Sequence, residues 1–182
     1  MAKKLEKIGY GQLELNQVAF RRDGRIEAQC KIAESIADTT KGGAGYIENG
    51  MLLAVNNVDR TVEYPKASGN VHPIALHYST EHMYDERANA LKDFKLDAGS
   101  YLPRLGYLSA GDKYTTNTVA YDNAKWTTED AFWAVLGTKP LYAHVSTDGY
   151  HLVDETATDA IAMAVAATTM PDGQRAVKFV AL

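Results

Sequence analysis

The sequence predicts a mainly β protein, built from short antiparallel strands in a sandwich or barrel-like domain with one or two short helices. Three observations predict it. First, apolar residues recur with period two: Ile26, Ala28, Cys30 and Ile32 alternate with charged and polar neighbours, and Val177, Phe179 and Ala181 alternate with Ala176, Lys178, Val180 and Leu182. Second, glycine-containing turn pairs punctuate the chain at Asp23-Gly24, Asn49-Gly50, Gly111-Asp112 and Asp148-Gly149, and again within "MPDGQ". Third, the chain carries 11 tyrosines against 4 phenylalanines, together with threonine-rich runs, a composition suited to half-buried sheet faces and subunit contacts.

Taken in order, residues 1–17 read as an N-terminal arm or edge segment, with Leu13 and Leu15 starting an alternation, and residues 18–182 as a β-rich domain. Candidate subdivisions fall at residues 65–70 and at Gly99. Asp23-Gly24 predicts a tight hairpin leading into the strand at 26–32, which would turn Cys30 inward as a small hydrophobe. "ADTTKGGAGYIENG" reads as loops or short hairpins, and residues 51–55 and 60–64 as two strands joined at Asn56-Asn57. Residues 71–77 read as a further strand. Met83, Arg87, Ala90, Leu91 and Phe94 share a helical stripe, with Ser79 or Thr80 as its cap. A strand is expected across Tyr114 to Tyr121. A helix capped at Thr127 is expected to stop at Gly137. "LYAHVS" and "YHLVDE" flank the Asp148-Gly149 turn, and the final run is a strand that ties down the end of the chain.

Composition narrows the function classes. A formal net charge of -4 gives no electrostatic basis for general nucleic-acid binding. Arg21, Arg22 and Arg25 form a compact basic group, but Asp23 and Glu27 dilute it and no aromatic platform is interleaved. One cysteine makes neither an internal disulfide nor a multi-cysteine zinc cage. No secretory leader is evident and no apolar run is long enough to cross a bilayer, so a soluble protein made in a reducing compartment is expected.

Candidate chemistry is sparse. His72, His77, Glu81 and His82 cluster in sequence but lack the spacing that places two histidine ligands and a base together. His144 and His151 are expected to lie across a hairpin as neighbours, which would be only half of a metal site. A metal-dependent hydrolase using His77, Glu81 and either His144 or His151 is the competing enzyme reading. Asp85-Glu86 and Asp154-Glu155 are adjacent carboxylates, which point to different sides of any regular element. Ser79, Ser109 and Ser146 have no glycine elbow, and Lys41 precedes Gly42, Gly43 and Gly45 rather than following them at phosphate-loop spacing. The expectation is a protein without catalytic, cofactor-binding or metal-ligating residues, and so not an enzyme.

The segments "PRLGYLSAGDKYTTNTV", "FWAVLGTKPLYAHVSTDGYHLV" and "TTMPDGQRAVKFVAL", with a fainter echo in "YIENGMLLAV", resemble structural proteins of tailed bacteriophages. The resemblance is to head decoration, or auxiliary capsid (cement), proteins. It implies a mainly β, homo-oligomeric virion protein, made in the host cytoplasm, that binds the major capsid protein on the outer capsid surface. It implies trimers as the favoured assembly, with no direct nucleic-acid binding and no membrane contact. Exposed members of Tyr101, Tyr107, Tyr114 and Tyr121 would supply a contact surface. A tail, baseplate or head-fibre component is the alternative within the same class.

Overall fold

The computed structural model describes residues 2–19, 24–28, 30–41, 44–66, 71–79, 91–101 and 103–182. Within them the chain forms β1 (Ala2–Lys4), β2 (Leu13–Gln17), β3 (Ile26–Glu27), β4 (Lys31–Ile32), β5 (Tyr46–Glu48), β6 (Leu52–Asn56), β7 (Thr61–Glu63) and β8 (Ile74–His77). There follow β9 (Lys95–Asp97), β10 (Leu105–Gly106), β11 (Lys113–Thr116), β12 (Val119–Asp122), helix α1 (Glu129–Val135), β13 (Leu141–Val145), β14 (His151–Asp154), β15 (Ala162–Thr169) and β16 (Arg175–Ala181). The fold is mainly β, with one short α-helix among the described residues, and neither large sheet closes into a barrel.

An eight-stranded sheet runs β1-β12-β14-β13-β15-β16-β11-β2, a six-stranded sheet runs β3-β10-β8-β6-β7-β4, and β5 pairs with β9. Most pairs are antiparallel; β12 with β14 and β4 with β7 are parallel. The order of the large sheet imposes a shape. β11 and β12 are joined by only Asn117 and Thr118, yet five inter-strand steps separate them in the sheet. Laid flat, those steps would span about 24 Å, whereas three Cα–Cα virtual bonds reach about 11 Å. The sheet therefore rolls until β11 and β12 meet at one corner. Its two edge strands, β1 and β2, are joined by residues 5–12, which run beside that corner: Leu5 N–H donates to Val119 O at 2.9 Å and Gln12 N–H to Asn117 Oδ1 at 2.7 Å.

Inside the roll lies one apolar core, containing Tyr114, Val119, Tyr121, Leu141, Val153, Val177 and Phe179 from the large sheet with Leu52 and Leu76 from the second. Helix α1 packs on it through Phe132, which stacks on Tyr121 with ring centroids 4.9 Å apart. The other face of the second sheet carries a separate core of Cys30, Ile32, Ile47, Leu53, Val55 and Val62. β6 is buried at every position because it is covered on both faces, which accounts for the unbroken apolar run in "MLLAV".

Several expectations change in detail. The first hairpin does not form: β2 pairs with β11 at one sheet edge while β3 pairs with β10 in the other sheet. The predicted strand at 26–32 divides into β3 and β4, because each half finds a different neighbour. Ile26 is consequently exposed, while Cys30 and Ile32 are buried. The single strand across Tyr114 to Tyr121 is two strands that break at Asn117-Thr118. The cap of α1 is Thr128 rather than Thr127, its side chain accepting from Ala131 N–H at 3.2 Å, and Gly137 follows the C-cap in the left-handed region (φ +78°). The strand expected at 71–77 begins at Ile74. The helical stripe at 83–94 lies mainly outside the described residues, and its described tail, Leu91–Asp93, is a 3-10 turn.

Burial holds the Cys30 thiol at a pKa of about 11, well above its ordinary value. Cys30→Ala is expected to cost roughly 1–2 kcal/mol through lost buried contacts, read as a lowered denaturation midpoint. The native thiol is expected to resist a bulky maleimide until the protein unfolds.

Candidate functional site at the seam of the rolled sheet

Where the rolled sheet meets itself, backbone pairing gives way to side chains. Three chain segments converge there: residues 5–12, the β11–β12 link at 116–118, and the turn from Glu48 to Met51. The last is a tight turn with Gly50 at φ +84° and a Met51 N–H to Glu48 O bond of 3.3 Å. The approach is too close for side chains. A Cβ on Gly11 would lie 2.2 Å from Thr118 Oγ1 and 2.5 Å from Asn49 O, and one on Gly50 would lie 2.2 Å from Thr116 Oγ1. Gln12, Glu48, Asn49, Thr116, Asn117 and Thr118 are all buried.

Glu48 is the hub. Its side chain is fully buried. Oε1 accepts from Lys7 Nζ and from Tyr150 O–H, the latter at 2.5 Å, and Oε2 accepts from Gly11 N–H at 2.8 Å. Lys7 Nζ also lies 2.8 Å from Tyr150 Oη. Burial lowers the Lys7 pKa, against the opposing pull of Glu48, and pushes the Tyr150 hydroxyl up. Nearby, Thr118 O–H donates to Asn49 O and Thr116 O–H to Gln12 O, both at 2.7 Å. The Asn49 side-chain amide and Asn117 Nδ2 have no protein partner among the described residues.

Two buried histidines flank the seam. His77 Nδ1 lies 2.8 Å from Glu48 O, an acceptor, so Nδ1 carries the proton and Nε2 accepts from Ser79 O–H at 2.8 Å. Ser79 Oγ in turn accepts from Arg104 N–H at 3.0 Å. His151 repeats the logic: Nδ1–H donates to Thr118 O at 3.1 Å and Nε2 accepts from Tyr114 O–H at 3.0 Å. Each imidazole is held neutral in one tautomer, and burial drives both pKa values down to about 4.

The residues singled out from sequence divide accordingly. His77 and Ser79 are brought together in the second sheet, but both are fully buried. His144 and His151 sit on adjacent strands, yet His144 pairs with Leu152 and Val145 with His151, so the two rings point to opposite faces. His144 reaches Asp154 at 3.3 Å and Thr156 O at 2.9 Å. Glu155 instead bridges Lys125 and Lys139 at the surface. His72 is half-buried before β8. Ser109 N–H donates to Asp112 Oδ2 and Ser146 N–H to Tyr150 O, both in turns. Gly45 turns the chain into β5, and Arg25 lies 3.8 Å from Asp112. Glu81, His82, Asp85, Glu86, Arg21, Arg22, Gly42 and Gly43 lie outside the described residues. Among those described, no three His, Cys, Asp or Glu side chains gather in a metal-binding group. Of the four tyrosines expected to offer a contact surface, Tyr114 and Tyr121 are fully buried in the roll, whereas Tyr101 is 70% exposed.

Sequence reading missed Lys7, Glu48 and Tyr150 as a group. Their separations of 41 and 102 residues leave no local pattern to find. Comparison of the chain with protein-family models, curated proteins and solved structures gave no match.

The two imidazoles make stability depend on pH. Their folded pKa of about 4 lies below the ordinary 6.5, so the unfolded chain takes up protons first as pH falls. Their contribution is complete above pH 6.5 and is lost between 6.5 and 4, roughly 3 kcal/mol for each histidine. Urea midpoints are expected to fall steadily across that window, and less steeply in His151→Gln.

Proposed function

We propose that this chain is a structural virion protein of a tailed bacteriophage, a decoration or cement protein that binds and stabilises the outer capsid surface. The observation that carries the reading is where the phage-like segments lie. Residues 103–119, 132–153 and 168–182 contribute β10, β11, β13, most of β14, the end of β15, and β16. β14-β13-β15-β16-β11 are neighbours in the large sheet, and the segments supply all or most of each except β15, while β10 belongs to the second sheet.

The character of the seam is consistent with this role. Its ionisable groups are buried and bound to one another, an arrangement that fixes shape rather than presenting a reacting group to solvent. Exposed apolar side chains include Ile8 on the crossing segment, at 69%, and Val58, Val71 and Tyr101, at 87%, 78% and 70%, with Val58 in the β6–β7 turn and Val71 preceding β8. Since Ala54 pairs with Ile74, these two valines lie at the same end of the second sheet. A protein that binds the assembled shell better than its dissociated subunits stabilises the shell by mass action. Contacts between copies, with trimers as the favoured arrangement, would add avidity on the lattice.

Mass spectrometry of purified particles is the test. The chain is expected in mature virions at a copy number set by the capsid lattice, and in particles stripped of tails. Its absence from virions would overturn the reading, and its confinement to isolated tails would move it to the tail.

A further inference from the structure

The Lys7–Glu48 contact has the components of a condensation site. The Lys7 side chain is 11% exposed and that of Glu48 is fully buried, so the pair meets out of solvent. Two charges held there keep a desolvation penalty that mutual attraction only partly offsets. Passing a proton from the ammonium to the carboxylate yields a neutral amine against a neutral carboxylic acid, the nucleophile and electrophile that acyl transfer needs. The lowered Lys7 pKa acts in that direction. Tyr150 Oη touches both reactants, 2.8 Å from Nζ and 2.5 Å from Oε1. Gly11 N–H points at the other carboxyl oxygen from 2.8 Å, where a developing oxyanion would sit.

We propose that Lys7 and Glu48 become joined by an amide bond between Nζ and Cδ, an intramolecular isopeptide that fastens residues 5–12 to the turn at 48–51. The neutral Lys7 amine attacks Glu48 Cδ, forming the C–N bond while Oε2 takes up negative charge against Gly11 N–H. The Tyr150 hydroxyl relays one proton from nitrogen to Oε1. Collapse of the intermediate breaks the Cδ–Oε1 bond, and Oε1 leaves as water with that proton and the proton of the acid. Nothing is oxidised or reduced, and no co-reactant is consumed. The product is a neutral amide in place of two buried charges, and it closes covalently a seam that strand pairing leaves open. This inference does not depend on the virion reading.

The experiment is the intact mass of the denatured full-length protein, with tandem mass spectrometry of its tryptic digest and Lys7→Arg as the reference. Arginine keeps the positive charge but does not acylate under these conditions. Wild-type protein is expected to be lighter than its sequence by one water, with no cleavage after Lys7 and a branched peptide joining Lys7 to Glu48; Lys7→Arg is expected at full mass. A wild-type chain at full mass overturns the proposal, and this arm stands even where the variant fails to fold. Loss of ammonia in place of water also overturns it, by moving the bond to an asparagine such as Asn49 or Asn117.

Discussion

The Glu48 carboxylate is the interaction on which the rest of the structure depends. It is buried where the two large sheets and residues 5–12 meet, and it accepts from Lys7 and Gly11 of the crossing segment and from Tyr150, which immediately precedes β14. Its own backbone carbonyl receives His77 from the second sheet. Without those donors the site would hold an uncompensated buried charge, which costs several kcal/mol. The crossing of residues 5–12, the approach of the Asp148-Gly149 hairpin and the seating of β8 are therefore coupled. Gly149 O accepts Leu52 N–H at 2.7 Å, which ties the same hairpin to β6.

The need for such a hub follows from topology. A two-residue link between strands five places apart forces the large sheet to roll, but β1 and β2 do not pair, so no ladder closes the roll. Both edges are also poor templates for further pairing. β1 is three residues long with two lysines, and β2 is interrupted by a register shift at Lys113/Tyr114. The roll is completed instead by an apolar filling, with Phe132 of α1 stacked on Tyr121 and Trp126 packed against Phe132, and by the polar seam.

The fold class was legible because β-alternation and glycine turns are local signals, and α1 was legible to within one residue for the same reason. Partners were not. Ile26 and Ala28 continue the alternation of Cys30 and Ile32, yet β3 and β4 sit in different parts of the second sheet, a separation no eight-residue window contains. "KYTTNTVAY" reads as one strand because threonine and valine favour extended backbone on both sides of Asn117. Only the seam, where Thr116 O–H donates to Gln12 O and Thr118 O–H to Asn49 O, makes it a corner. Tyr114 and Tyr121 looked suited to a surface because tyrosine is amphipathic. In the roll the Tyr114 hydroxyl has His151 as an internal partner, and that lets the whole ring go inside.

A polar seam does something that an apolar one would not. A strip of leucines closing the roll would tolerate sliding, because hydrophobic contact is non-directional. In a sheet a shift of one residue turns every side chain to the opposite face. At this seam a slip would separate Glu48 from Gly11 N–H, Asn117 from Gln12 N–H and His77 from the Glu48 carbonyl together, each of them a buried bond. The cost of misregister is therefore concentrated at one point and shared by both sheets. That is the physical reason Gly11 and Gly50 lack side chains there: directional bonds hold register only where the backbones come close enough to make them.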